Sequence, residues 1–173
     1  MRVGAIIVEH KLGFVCANAG IDHSNVNPPE ISEALREDFG SPNADDWVLL
    51  LPEDPDQSAV NLRNQIQNRT GKRIGILIID SHGRAWRNGT VGAAIGIAGL
   101  PGLEDLRGKP DLFGYKLQVT QVGVADELAA AASLGMGQAA EGTPVVHARG
   151  FPYPLREASV KELIRPKDQD LFR

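Results

Sequence analysis

Arg73-Ile-Gly-Ile-Leu-Ile-Ile79 is a continuous apolar run that stops abruptly at Asp80-Ser-His-Gly-Arg84. The run is too short for a helix and rich in β-branched residues, so it reads as a buried strand over 73–79. A strand that ends on Asp80 sets one carboxylate at the rim of a sheet, on a loop open to ligand. The question for the rest of the chain is what else reaches that rim.

Upstream, residues 55–70 follow Asp54, which can cap a helix, begin with Pro55 and stop at Gly71, which predicts a helix over that span. Residues 47–51 read as a short buried strand, and 28–39, with Ile31, Leu35 and Phe39 four apart, as a surface helix ended by Gly40. Residues 3–8 and 12–15 predict a strand or hairpin around a polar break. Downstream, Gly89, Gly92, Gly96 and Gly99 make a helix costly, so this stretch reads as extended, glycine-bent chain. A strand over 117–122, an alanine-rich helix over 124–134 stopped by Gly135, a loop over 136–143 and a strand over 144–147 follow. A last helix is expected near 158–164. The expected fold is α+β, a mixed sheet with covering helices, in one domain over 1–150 followed by a C-terminal tail over 151–173.

The 173 residues are 42% hydrophobic and 23% charged, a globular composition. The formal charge of -4 argues against a nucleic-acid backbone as partner, and 5% aromatics argue against base stacking. No apolar run reaches membrane-spanning length, so no membrane partner is expected. With a single cysteine, Cys16, and no leader-like start, the expected home is cytoplasmic.

A second polar cluster echoes the first. In Cys16-Ala-Asn-Ala-Gly-Ile-Asp-His-Ser-Asn25, Asp22 stands just past an apolar strand, crowded by His23, Ser24 and Asn25. Two carboxylates at one sheet edge attract a hard cation, and oxygen donors such as Ser24, Asn25, Ser81 and Gln138 suit magnesium or manganese better than zinc. The plain alternative is that each Asp caps a turn. His23 and His82 are expected to face away from the aspartates and to take no part in catalysis, and Cys16 to be an inert buried thiol. Arg84, Trp86 and Arg87 can bind an anion or form a solvated turn. Neither standard phosphate-cradling glycine loop is present, so a nucleotide site must be of another design. No residue is assigned as a catalytic acid, base or nucleophile.

Five segments in order, Gly13 through Asn25, Leu49-Leu-Leu-Pro-Glu-Asp-Pro-Asp56, Asp80-Ser-His-Gly-Arg-Ala-Trp-Arg87, Val119-Thr-Gln-Val-Gly-Val-Ala-Asp-Glu-Leu-Ala129 and residues 137–149, resemble the coenzyme F(420):L-glutamate ligase family, the gamma-glutamyl ligases. The resemblance implies GTP as cosubstrate, activation of a deazaflavin's terminal carboxylate as an acyl phosphate, and attack by the amine of L-glutamate. It implies that Asp22 and Asp80 hold one of two divalent ions, magnesium or manganese, with Ser81 and Gln138 helping to hold the second; Ser81 stands where threonine is expected. It places Asn25 and the loop of Met136, Gly137, Gln138, Ala139, Ala140, Glu141, Gly142 and Thr143 at the nucleotide, and leaves Arg84 and Arg87 as candidates for substrate.

It also implies a homodimer, for which glycines within 88–102 offer close backbone contact. Family members carry a substantial segment before the first motif, so the resemblance implies an N-terminally shortened ligase portion working with a separate N-terminal subunit or on an altered substrate. Residues 27–45 look inserted. The rival readings are a non-catalytic metal- and nucleotide-binding or interaction subunit, and a fragment of a longer protein.

Overall fold

A computed structural model describes residues 6–26 and 47–170. The helix expected over 28–39 lies outside the described residues, as does the start of the first expected strand. A hairpin of β1 (Ile7–Glu9) and β2 (Val15–Ala17) comes first, then α1 (Pro55–Thr70), the long ribbon of β3 (Ile76–Gly83) and β4 (Thr90–Ala98), the small pair β5 (Glu104–Asp105) and β6 (Gln121–Val122), and α2 (Val124–Met136). Short 3-10 turns follow at Val160–Glu162 and Lys167–Gln169.

The described strands pair as β1-β2, β3-β4 and β5-β6, each antiparallel, so the chain mixes α and β but its sheets are not mixed. The short link from β3 to β4 leaves no room for the crossover that a parallel neighbour needs.

α1 has the expected bounds. Asp54 accepts the Gln57 N–H at 2.9 Å, Pro55 occupies the first turn, and Gly71 closes the helix at φ 66 with its N–H on the Gln67 carbonyl. Other boundaries move. β3 does not stop at Ile79 but runs through Asp80, Ser81 and His82 to Gly83, because 90–93 of β4 continues the ladder opposite them. The glycine-rich stretch is indeed extended, as β4. α2 passes Gly135 and ends against Gly137, whose φ 77, ψ -178 only glycine adopts readily. The strand expected over 47–51 is one bridge, Leu49 to Asp22; that over 117–122 shortens to β6; 144–147 forms no strand, and the last helix is the 3-10 turn at Val160–Glu162. Residues 47–51 and 144–147 lack a partner strand among the described residues to complete a ladder.

Two glycines of β4 set the layers. A Cβ on Gly92 would lie 2.6 Å from the Ala129 carbonyl of α2, and one on Gly96 would overlap the Pro55 carbonyl of α1. Backbone thus packs on backbone, and these two positions serve helices of the same chain. Each helix returns an acidic side chain to β4: Asp126 of α2 accepts the Ala94 N–H at 2.9 Å, and Asp56 of α1 accepts the Ile97 N–H at 2.7 Å. Two carboxylates therefore satisfy strand amides that a further strand would otherwise take. Ala94, Ile97, Leu100, Ala125, Ala129 and Val160 form the buried cluster, with Leu77, Ile79, Leu128, Phe151, Leu155 and Leu163 packed around it.

Residues 151–163 are tied to this core. Asp56 also accepts from Ser159 Oγ at 2.7 Å and Val160 N at 3.1 Å, while Glu162 accepts the N–H groups of Gly102 and Leu103 at 3.1 Å and both Nη atoms of Arg156. Arg156 and these amides hold the Glu162 carboxyl below its ordinary value of 4.5. A depressed folded value means stability that is fully present above about pH 4.5 and lost as pH falls through the folded value. Glu162→Gln is therefore expected to lower the urea unfolding midpoint at pH 7, with the gap to wild type narrowing below pH 4.5; a gap independent of pH contradicts this assignment.

Candidate metal and nucleotide site

Where β3 leaves the cover of the helices, its polar end meets the C-terminal end of α2. Ile79, Asp80, Ser81, Gly92, Ser133, Met136, Gly137 and Gln138 line a cleft of about 110 Å³. That volume suits an ion with its waters or a phosphate group, and is well short of the several hundred Å³ that enclose a drug-sized ligand. Ser81 Oγ donates to Gln138 Oε1 at 2.6 Å, joining the strand to the loop after α2.

Asp80 is partly buried and held by His82, whose Nε2 lies 3.1 Å from Oδ2. The expectation that His82 turns away is corrected: it stands two residues after Asp80 in a strand, so both side chains leave the same face. Its ring packs on Phe14 at 4.9 Å, and Phe14 stacks on His10 at 5.3 Å, so the hairpin of the first motif braces the ring that holds Asp80. The His82 hydrogen bond is the main cause that keeps the Asp80 carboxyl below its ordinary value, against the opposing effect of burial. Cys16 is buried, and burial, with the Asp80 charge second, pushes its thiol up, as expected of an inert cysteine.

Asp22 does not line the cleft. Its carboxylate closes a turn on Ser24, accepting from the Ser24 N–H at 2.8 Å and from Oγ at 2.7 Å. The link from this turn to the cleft is Asn25, at φ 54, whose Nδ2 donates to the Ala139 carbonyl at 2.9 Å. Consecutive residues of one loop, Gln138 and Ala139, thus bind the two motifs, Ser81 and Asn25. Met136 and Gly137 also line the cleft, whereas Ala139, Ala140, Glu141, Gly142 and Thr143 are exposed beyond it.

Arg84, Trp86 and Arg87 lie on the exposed turn between β3 and β4 and do not line the cleft; among the described residues the Arg84 side chain donates only to the Asn88 carbonyl of its own turn, at 3.5 Å. Ser133 and Gly92 are cleft residues that the sequence reading missed. Ser133 lies one helical turn before Gly137, and that spacing carried the signal.

Among the described residues, no group of three or more His, Cys, Asp or Glu side chains is placed to hold a metal ion. Toward the cleft the Ser81 hydroxyl and the Gln138 amide offer neutral oxygen, while the Asp80 carboxylate leaves the opposite face of the same strand with His82. This chemistry fits magnesium or manganese, which bind through one or two carboxylates and complete their shells with phosphate and water. No described helix is long and apolar enough to cross a membrane.

Residues 1–150 match the family model described as F(420)-0:Gamma-glutamyl ligase. The chain is 46% identical over 168 residues to a coenzyme F(420):L-glutamate ligase of Methanococcus maripaludis, covering 97% of this chain and 60% of that protein. The ligase of Methanocaldococcus jannaschii is 45% identical over the same shares. That of Methanothermobacter thermautotrophicus is 46% identical, covering 100% of this chain and 64% of that protein. The chain therefore spans about three-fifths of the length of these curated relatives.

The His82 contact makes a prediction. In His82→Ala the Asp80 carboxyl, left with burial as its main influence, titrates at higher pH than in the native chain. Carbon-detected NMR titration reads this directly, and an unchanged Asp80 titration contradicts the assignment.

Proposed function

The chain belongs to the F(420)-0:gamma-glutamyl ligase family, and from that premise we propose that it carries the metal and nucleotide centre of a GTP-dependent ligase joining L-glutamate to a deazaflavin precursor. One observation carries the reading: the Ser81–Gln138 hydrogen bond beside Asp80, which gathers oxygen donors from two distant motifs at the mouth of one cleft.

In this reading Asp80, held below its ordinary value by His82, would supply an anionic ligand, and Ser81 and Gln138 would supply neutral oxygens for the ions. Asp22 joins from the turn that Asn25 pins to Ala139. When bound, magnesium or manganese supplies neutralisation of phosphate charge and alignment of the transferring group. The cleft holds the phosphate end, and the exposed loop from Ala139 to Thr143 contacts the rest of the nucleotide. Transfer of the γ-phosphoryl group to the precursor's carboxylate releases GDP; attack of the glutamate amine on that acyl phosphate forms the amide, releasing phosphate and a proton.

A homodimer belongs to the same proposal. Support for ligation as the outcome comes from the family membership and from relatives named for that reaction.

Isothermal calorimetry with GTP and manganese is expected to show binding by the native chain and a loss of more than about 100-fold in the Asp22→Asn, Asp80→Asn double variant, a larger effect than loss of an outer-shell partner. Absent binding by the native chain, or equal binding by the variant, sinks the metal-nucleotide reading. Mass spectrometry of the deazaflavin precursor is expected to show the gain of a glutamate residue, matched by GDP formation. Binding without that gain favours the non-catalytic alternative.

A further inference from the structure

The loop that delivers Gln138 to Ser81 has no regular secondary structure, so something must hold its shape. Glu141 turns back on it: Oε2 accepts the Ala139 N–H at 2.8 Å. This backbone contact is the main cause that keeps the Glu141 carboxyl below its ordinary value. The side chain lies against the open face of Gly137, where any Cβ would collide with the Glu141 carboxyl carbon. Gly137 is therefore required twice, for its backbone angles and for the space that the returning carboxylate fills.

We infer that Glu141 is a positioning residue, one whose carboxylate folds the loop from inside so that the Gln138 side chain meets Ser81 and the Ala139 carbonyl meets Asn25. This rests on the proposed function for its consequence and goes beyond it, because the loop's contact with nucleotide leaves open what each residue does. Glu141 is exposed, yet its Oε2 is held by the Ala139 amide. It acts through Gln138 and Ala139, and the charge it places beside the cleft is secondary.

The loop geometry is tested without ligand by amide hydrogen exchange of the full chain. Glu141→Ala is expected to lose protection at Ala139 while α1 and β4 amides keep theirs; unchanged protection at Ala139 overturns the inference, whatever the protein binds. With GTP and manganese, Glu141→Ala is expected to bind about 10- to 100-fold more weakly, the range typical of outer-shell partners. Glu141→Gln, which keeps a carbonyl acceptor of the same reach, is expected to lose less. Equal losses in the two variants assign the effect to charge and also overturn the inference. A native chain that binds no GTP, with Ala139 protection still dependent on Glu141, contradicts the proposed function and upholds the positioning role.

Discussion

The close approach of two helices to one strand governs the rest of the structure. β4 can lie under both α1 and α2 only because Gly92 and Gly96 carry no side chain where the Ala129 and Pro55 carbonyls come closest. That approach lets Asp126 and Asp56 reach the Ala94 and Ile97 amides, which no described strand covers. It also fixes where α2 ends. The helix stops beside the polar end of β3, so the loop opened by Gly137 begins within reach of Ser81.

From there the candidate site is built by exchange of hydrogen bonds between segments far apart in sequence. Ser81 binds Gln138 and Asn25 binds Ala139, so a single loop holds the first and second polar motifs together. Asp80 is steadied from the other side by His82, itself packed on Phe14 of the N-terminal hairpin. Burial acts to raise the Asp80 carboxyl, and the His82 hydrogen bond outweighs it, so the group is held below its ordinary value. Asp22 lies in a looser setting, its carboxylate on Ser24 and its backbone bridged to Leu49.

Much of this was legible in the sequence where the signal is local. Asp54, Pro55 and Gly71 punctuate α1 within a few residues of one another, and the bounds follow. The apolar run before Asp80 announced β3, but not its continuation to Gly83, because a polar strand end is sustained by the partner opposite it. The glycines of β4 read as extended chain; what they accommodate, the chain's own helices, lies in tertiary contacts that spacing alone does not reveal. For the site, Ser81 and Gln138 were named and are hydrogen bonded, and Asp80 is among the residues that line the cleft. The His82 contact was within reach of sequence reasoning, since a separation of two in a strand means a shared face. Arg84, Trp86 and Arg87 show the opposite case: adjacency to a motif placed them on an exposed turn away from the cleft.

The central claim is that the loop after α2 assembles oxygen donors from both polar motifs around bound ions and phosphate. A crystal structure of the chain grown with GTP and manganese, with anomalous data collected for manganese, tests it most directly. The account predicts manganese peaks at bonding distance from Asp80 and Asp22, with Ser81 and Gln138 turned from each other toward the ions and the phosphates alongside. Manganese and nucleotide bound away from these side chains, with the Ser81–Gln138 bond intact, would contradict it.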